Sequence, residues 1–141
     1  MTFSSDCVDL VKQSEGCSLE AYQDAIGVWT VGWGHTPAQA GEHWTQAEAD
    51  AQLMADIGKA CEHAQDLVTV PLTQGQIDAL TDFTFNMGAG NLKTSTLLRK
   101  LNAGLYDEVP SELMRWIYAG GKVLSGLVTR RQREVQLWGK A

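Results

Sequence analysis

Apolar side chains recur at helical spacing along most of the chain, beginning near the N-terminus. They are found at i, i+3 and i+4 from Cys7 to Val11, which predicts an amphipathic helix over residues 5–15. Gly16 follows, and glycine adopts the left-handed backbone conformation at a helix end at little cost. The first helix is therefore predicted to end in a carboxylic acid, Glu15.

Two short stretches after this helix have the composition of strands. Residues 18–23 and 28–34 are rich in side chains that suit a pleated surface, and the segment Asp24-Ala25-Ile26-Gly27 between them has Asp and Gly at the first and last positions of a turn. The pattern predicts a β-hairpin. An ideal hairpin that turns there places Thr30 on the same face as Ala21.

Helical periodicity then returns and is interrupted by glycine and proline. Thr45 with Glu48, and again Thr73 with Gln76, match the capping box that starts a helix. The first box predicts a helix of about 22 residues, roughly 33 Å long. The second predicts a helix that continues to Gly88. Three later helices are predicted around 97–101, 112–118 and 127–138.

This order of elements predicts an α+β fold that is mainly helical, with a small β-hairpin lobe and a larger C-terminal helical lobe joined by a long helix. The 141 residues suit one domain, and no repeat or linker divides them. We expect a single domain over residues 1–141. Its hairpin lobe would be 16–44, its connecting helix 45–69, and its helical lobe 1–15 with 70–141.

Composition and charge limit which classes of molecule the protein is expected to bind. Apolar residues make up 44% and charged residues 20% of a chain with a formal net charge of −6. Residues 1–70 carry 2 bases and 11 acids, a net −9, whereas residues 71–141 carry 9 bases and 6 acids, a net +3. The acidic half would repel a phosphate backbone, which argues against nucleic acid. Bases of the second half either meet an anionic polymer or form a solvated helix face; they include Arg130, Arg131, Arg133 and Lys140.

Cysteine usage and hydropathy give no indication of export. Cys7, Cys17 and Cys61 are odd in number and irregular in spacing, which argues against a disulfide framework, and Cys17 is expected to be a small buried strand residue. The segment 1–12 lacks the basic and apolar regions of a signal peptide, and no run approaches the roughly 20 apolar residues of a membrane span. We therefore expect no stable membrane insertion.

The candidate chemistry is that of a carboxylate pair. Glycoside hydrolysis needs one carboxylic acid to protonate the leaving oxygen and one carboxylate that activates water or stabilises the oxocarbenium ion. Glu15 lies beside the apolar stripe of Val8 and Val11, where burial favours the protonated acid. Asp24, at an exposed turn, would stay ionised, and the hydroxyl of Thr30 can position a water.

The strand that follows the turn leaves room for a ligand. Gly32 and Gly34 have no side chains on the Thr30 face, which fits a saccharide lying in a cleft. Aromatic side chains are available to cover sugar faces; these are Tyr22, Trp29, Trp33 and Trp44. The chain has no H-E-x-x-H, C-x-x-C, G-x-S-x-G or Walker motif, so we expect neither a metal nor a cofactor.

The segment from Glu15 to Thr36 resembles the N-terminal signature of the phage-type lysozymes, glycoside hydrolase family 24, with E-x8-D-x5-T spacing intact. The similarity continues through V-P-L-T at 70–73, F-N-M-G at 85–88 and G-L-V-T-R-R-Q-R-E at 126–134. This resemblance implies a lysozyme-like fold and an endolysin. Such a muramidase hydrolyses the β-1,4 bond between N-acetylmuramic acid and N-acetylglucosamine in peptidoglycan and lyses the host cell.

The resemblance also implies roles for single residues. Glu15 would be the general acid, and Asp24 with Thr30 would hold the attacking water, usually with inversion at the anomeric carbon. Thr36 and Phe85 match positions that line the glycan cleft. The resemblance further places Asn86 at an acetamido sugar and gives His35 a structural role that supports the hairpin lobe.

The resemblance implies a cellular setting as well. The chain begins almost at its first helix, so we expect it to stay in the host cytoplasm until a holin permeabilises the membrane and then to act in the periplasm on the cell wall. We also expect a monomer. Two other functions stay open. One is a lytic transglycosylase that uses Glu15 alone and ends in an anhydro sugar; the other is a non-catalytic peptidoglycan-binding module, which the intact Glu15, Asp24 and Thr30 disfavour.

Overall fold

Helices make up most of the computed structural model, which describes residues 1–140. The helices are α1 (Ser5–Glu15), α2 (Gln46–Leu67), α3 (Gln74–Met87), α4 (Ala89–Lys93), α5 (Thr96–Asn102), α6 (Val109–Leu113) and α7 (Ser125–Trp138). The strands are β1 (Ser18–Gln23), β2 (Trp29–Gly32), β3 (Tyr118–Ala119) and β4 (Lys122–Val123), and a 3-10 turn, Tyr106–Glu108, precedes α6. The predicted α+β class, mainly helical with a small hairpin after the first helix, is confirmed.

Side-chain caps fix the starts of α2 and α3. The Thr45 hydroxyl accepts a hydrogen bond from the backbone N–H of Glu48 at 3.1 Å, and the Glu48 carboxylate accepts one from the Thr45 N–H at 3.1 Å. Thr73 and Gln76 make the same reciprocal pair at the start of α3. Each cap satisfies N–H groups that have no partner within the helix, which stabilises the fold by about 1 kcal/mol.

The helix α3 forms the centre of the helical lobe. It packs against α1, α2, α4 and α7, and its middle turns are buried on nearly all sides. The apolar core around it is drawn from every neighbouring helix; the buried members include Leu10, Ala64, Leu80, Phe83, Leu92, Leu97, Leu101, Leu113 and Trp138. A second buried cluster joins α1 to α2, and it comprises Cys7, Val11, Leu53 and Ile57. These contacts fix the direction in which the end of α1 points.

The β1–β2 hairpin has a different register from the one expected. Thr30 pairs with Tyr22, not with Ala21, because the loop contains five residues instead of four. Asp24 is the cause: its backbone N–H donates to the Val28 carbonyl at 2.9 Å, and its Oδ1 accepts from the Val28 N–H at 2.9 Å. Val28 therefore belongs to the turn, and β2 begins one residue later.

The segment after α6 also departs from expectation. The helix predicted to reach Tyr118 ends at Leu113, and Tyr118 instead pairs with Val123 in the β3–β4 hairpin. Gly120 and Gly121 both have positive φ, 58° and 79°, the conformation that a two-residue hairpin turn requires. The pair of glycines thus forms a hairpin turn.

Candidate active site

A groove of about 590 Å³ lies between the loop after β2, the middle of α2 and the C-terminal end of α3. Four of the six residues predicted for the site contribute to its walls; these are Glu15, Thr36, Phe85 and Asn86. The residues that meet here come from separate elements. Tertiary packing therefore assembles the groove.

Glu15 reaches the groove from the end of α1, and its side chain is 23% exposed. Its Oε1 accepts a hydrogen bond from Arg130 Nη1 at 2.7 Å. Its Oε2 lies against Gly34, where a Cβ would stand 2.9 Å from that oxygen. The expectation of apolar surroundings for Glu15 is wrong, since the nearest partner of its carboxylate is a guanidinium from α7.

Arg130 is itself held by a buried carboxylate. Its Nε and Nη2 each donate to Asp82 at 2.9 Å, in the two-pronged geometry that suits a guanidinium and a carboxylate. Burial lowers the pKa of Arg130, but the hydrogen bonds and charges of Asp82 and Glu15 outweigh burial and raise it above its ordinary value. Arg130 stays protonated and links α3, through α7, to the end of α1.

A second arginine makes a parallel connection. Arg131 Nη2 donates to Asn86 Oδ1 at 2.6 Å and to Glu134 Oε2 at 2.9 Å. Arg130 and Arg131 are 4% and 0% exposed, so both sequence alternatives for them, a solvated face and a polymer contact, are wrong. One signal was present: a Glu three residues after an Arg lies on the same helix face. The partners on α1 and α3 left no such signal.

The buried charges of this network are nearly balanced. Two guanidinium groups, Arg130 and Arg131, face three carboxylates, Glu15, Asp82 and Glu134. Burial, followed by the hydrogen bond and repulsion from Asp82, raises the pKa of Glu134 well above its ordinary value, although Arg131 opposes this.

Asp24 and Thr30 lie in the hairpin and do not line the groove. Asp24 Oδ1 accepts hydrogen bonds from the backbone N–H groups of Ile26 and Val28, both at 2.9 Å. Thr30 is 4% exposed, and its hydroxyl donates to the Val28 carbonyl at 3.1 Å. The strand that carries Thr30 continues into the loop that holds Gly34 against Glu15.

The aromatic residues named for sugar faces have other contacts. Trp33 Nε1 donates to Asp50 on α2 at 2.9 Å, which connects the hairpin lobe to that helix. Trp44 Nε1 donates to Glu42 at 2.7 Å, which is a contact within the segment before α2. Neither they, Tyr22 nor Trp29 is among the residues that line the groove. Phe85, half-buried at the end of α3, contributes an aromatic side chain to the wall instead.

The groove wall also contains two residues that the sequence patterns did not single out. Lys59 and His63 are exposed one turn apart on α2, and both line the groove. Their i, i+4 spacing gave a weak signal, but the face of α2 that meets the groove is set by packing. Nearby, His35 Nδ1 lies 2.7 Å from Asp56 Oδ2, which fastens the hairpin to α2.

Within residues 1–140, no cluster of three or more His, Cys, Asp or Glu side chains is placed to hold a metal ion. None of the helices described is long and apolar enough to cross a membrane. Cys17 is exposed between α1 and β1, so the expectation that it is buried is wrong: it lies outside the strand, next to Gly16.

Comparisons with known proteins agree with this architecture. The chain is 43% identical over 130 residues to the SAR-endolysin of Enterobacteria phage PA-2, which covers 89% of this chain and 79% of the relative. It is 42% identical over 146 residues to the endolysin of Acyrthosiphon pisum secondary endosymbiont phage 1, and the match covers all of both chains. The muramidase domain of SpmX from Asticaccaulis excentricus superposes with a TM-score of 0.90 at 36% identity, covering 99% of each chain.

The family assignment rests on the longest of these matches and on a sequence profile. The profile of the family described as phage lysozyme matches residues 12–134, a span that includes the residues of the groove. The lysozyme-like fold predicted from the sequence is thereby confirmed. The chain belongs to the phage lysozyme family and is a glycosidase, an endolysin that hydrolyses bacterial peptidoglycan.

Proposed function

We propose that the chain cleaves the β-1,4 bond between N-acetylmuramic acid and N-acetylglucosamine, with Glu15 as the general acid. The observation that carries this proposal is the position of the Glu15 carboxyl group. Arg130 holds Oε1 at 2.7 Å, whereas Oε2 lies beside Gly34 at the wall of the groove. A proton on Oε2 would face a glycosidic oxygen bound there.

Arg130 assists the proton transfer. A neutral Glu15 gives up its proton as the bond breaks, and the carboxylate that results is stabilised by the N–H of the guanidinium. Asp82 contacts Arg130 from the other side and compensates its positive charge before Glu15 gives up its proton. The guanidinium thus orients the acid while most of its charge is already matched.

Asp24 and Thr30 are proposed to hold the attacking water. Oδ1 of Asp24 is engaged by the turn N–H groups, which leaves Oδ2 for the water. The backbone donors fix the position of the carboxylate, which a group that activates water requires. Thr30 would contribute its hydroxyl from β2, within the same hairpin.

The groove wall suggests how the glycan is bound. We propose that Phe85 packs against a sugar ring, that Thr36 contributes a hydroxyl at the hairpin side, and that Asn86 bonds an acetamido group. Thr36 approaches the groove from the loop after β2, and Phe85 and Asn86 approach it from the end of α3. A glycan chain between them would lie beside Glu15.

Replacing Glu15 by Gln tests the proposal. The change removes the proton donor and keeps the size of the side chain and an oxygen that can accept from Arg130. Glu20→Gln is the matched control, because Glu20 is an exposed acid on β1 outside the groove. Clearing of a suspension of permeabilised Gram-negative cells should be abolished by Glu15→Gln and unchanged by Glu20→Gln. Equal clearing by both variants would refute the assignment of Glu15.

A lytic transglycosylase is the second candidate, because Glu15 lines the groove while Asp24 and Thr30 do not. The two reactions give different products: hydrolysis leaves a reducing end, and transglycosylation leaves an anhydro sugar that is one water lighter. Mass spectrometry of the digested glycan separates them. We expect the reducing product and its loss in Asp24→Asn.

We further propose that the chain acts as a monomer on the wall of a bacterial host after a holin has permeabilised the membrane. Support comes from its relatives, which are named endolysin and SAR-endolysin. Expression in a host cell with and without a holin tests the dependence. Lysis at the same time in both cultures would contradict it.

A further inference from the structure

Asn86 presents the two ends of its amide to different surroundings. Its Oδ1 accepts from Arg131 Nη2 at 2.6 Å, and the residue lines the groove. A guanidinium has donors and no acceptor, so the amide oxygen must face it, and the opposite orientation would bring two donors together. The Nδ2 group is thereby directed away from Arg131.

Arg131 cannot easily move away from this contact. It is 0% exposed, as is Glu134, which accepts from Arg131 Nη2 at 2.9 Å and lies 2.9 Å from its Nε. The guanidinium carbon stands 5.1 Å from the centre of the Phe83 ring, in the centre of the lobe. A buried ion pair of this kind is a poor source of stability compared with apolar side chains, and its best-attested use is to specify one arrangement.

We propose that Arg131, held by Glu134, is a positioning residue that fixes the Asn86 amide so that the groove presents an N–H donor. The matching substrate group is a hydrogen-bond acceptor, namely the carbonyl oxygen of an acetamido group on the glycan. This inference rests on the proposed function of the groove. It adds the residue, Arg131, that orients the Asn86 amide so that its N–H group faces the glycan.

The Asn86→Asp variant tests directly whether the groove needs a hydrogen-bond donor at this position, and it keeps both Arg131 and Glu134. An Asp at this position keeps an oxygen for Arg131 but replaces the donor with a second acceptor, which repels a carbonyl. We expect Asn86→Asp to raise KM for soluble peptidoglycan fragments by more than Asn86→Ala does, with the larger effect at about tenfold or above. A KM for Asn86→Asp equal to that of the unmodified protein would overturn the proposal.

A double-mutant cycle tests the role of Arg131. The paired change Arg131→Met with Glu134→Leu removes both buried charges at once, which keeps the interior free of an unmatched ion. We expect it to raise KM about as much as Asn86→Ala, and to add little to KM when combined with Asn86→Ala. Additive effects would mean that Arg131 acts on the fold alone and would overturn the proposal. Arg99→Met, on an exposed position of α5, is the control for loss of a positive charge.

The substrate provides a readout that does not depend on folding. Partial N-deacetylation hydrolyses the amide, releases the acceptor carbonyl as acetate and leaves an ammonium group on the sugar. The unmodified protein should therefore prefer the acetylated fragments, and Asn86→Ala should lose part of that preference. An unchanged preference would count against the inference. Failure of the proposed function would show differently, as a wild-type chain that turns over neither substrate.

Discussion

Four charged side chains in the interior of the helical lobe have an opposite charge in contact. Asp82, Arg130, Arg131 and Glu134 are at most 4% exposed, and each lies within 2.9 Å of a partner of the other sign. Removing one member would leave an unmatched charge, which costs more than the pair contributes. A single substitution therefore tests the role of a residue best when it removes the charge and keeps the shape of the side chain, or the reverse.

Asp24 allows such a separation, because it has two tasks in the proposed mechanism. Asp24→Asn keeps the oxygen that accepts from the turn amides of Ile26 and Val28, whereas Asp24→Ala removes it. If the carboxylate activates water, both variants should lose activity by about 100-fold or more, while only Asp24→Ala should lower the free energy of unfolding. An active Asp24→Asn variant would show that Asp24 serves the turn alone.

Gly34 offers a matched pair of substitutions with Gly27. Both have positive φ, 86° and 84°, so an added Cβ costs each about 1 kcal/mol of stability. At Gly34 the Cβ would stand 2.9 Å from Glu15 Oε2, while at Gly27 it would meet nothing within 4 Å. We expect similar losses in urea unfolding and a loss of activity only in Gly34→Ala. Full activity of that variant would contradict the placement of Oε2.

The helices and strands differ in how well the local sequence predicts them. The helices α2 and α3 begin at capping boxes, and a local pair of residues is enough to specify each start. The helix α4 has five residues and no side-chain cap, which is too short for a periodic pattern. The pairing of β3 with β4 involves two residues on each strand, and its only strong signal is the pair of glycines.

The contact between α3 and α7 depends on a glycine. A Cβ on Gly75 would stand 2.1 Å from the Leu137 carbonyl oxygen and 2.5 Å from that of Lys140, both backbone atoms that cannot rotate away. We expect Gly75→Ala to lower the free energy of unfolding by about 3 kcal/mol. In Gly126→Ala, where the Cβ meets nothing within 4 Å, we expect a gain of up to about 1 kcal/mol. Thermal unfolding measures both, and equal effects would contradict the packing described.

For the whole molecule, the C-terminal helix completes a site that begins at the first helix. Arg130 on α7 and Glu15 on α1 are 115 residues apart in sequence and 2.7 Å apart in space. Asp82 on α3 is the third member of the chain of contacts. A displacement of α7 should therefore disturb the site, although the residues that line the groove come from other elements.

Stability should depend on pH through Glu112. The Lys100 ammonium donates to its carboxylate at 3.0 Å and lowers the pKa of Glu112 below the ordinary 4.5, although burial opposes this. Because the pKa is lower in the folded state, the stabilisation is present above about 4.5 and is lost as the pH falls through the lowered pKa. Glu112→Gln should therefore be less stable than the unmodified chain at pH 7, with the difference shrinking below pH 4.5.

Urea unfolding at several pH values measures this difference. Glu62→Gln is the control, because Glu62 is exposed on α2. A difference between Glu112→Gln and the unmodified chain that stays constant down to the most acidic pH would show that the carboxylate has no special pairing.

The sequence by itself determined what depends on neighbours along the chain. Helix periods, the capping boxes at Thr45 and Thr73, the stop at Gly16 and the turn at Asp24 involve residues at most a few positions apart, so their hydrogen bonds can be inferred locally. The spacing of Glu15, Asp24 and Thr30 also indicates the family without any knowledge of the tertiary structure.

Only the tertiary structure decided the surroundings of the proposed acid. Arg130 and Arg131 have the same charge and adjacent positions, yet one contacts Glu15 and the other Asn86. Which contact each makes depends on the rotation of α7 against α1 and α3, and that rotation is set by the burial of apolar side chains from all three helices. No local pattern contains this information, because the energy that fixes it comes from contacts between distant segments.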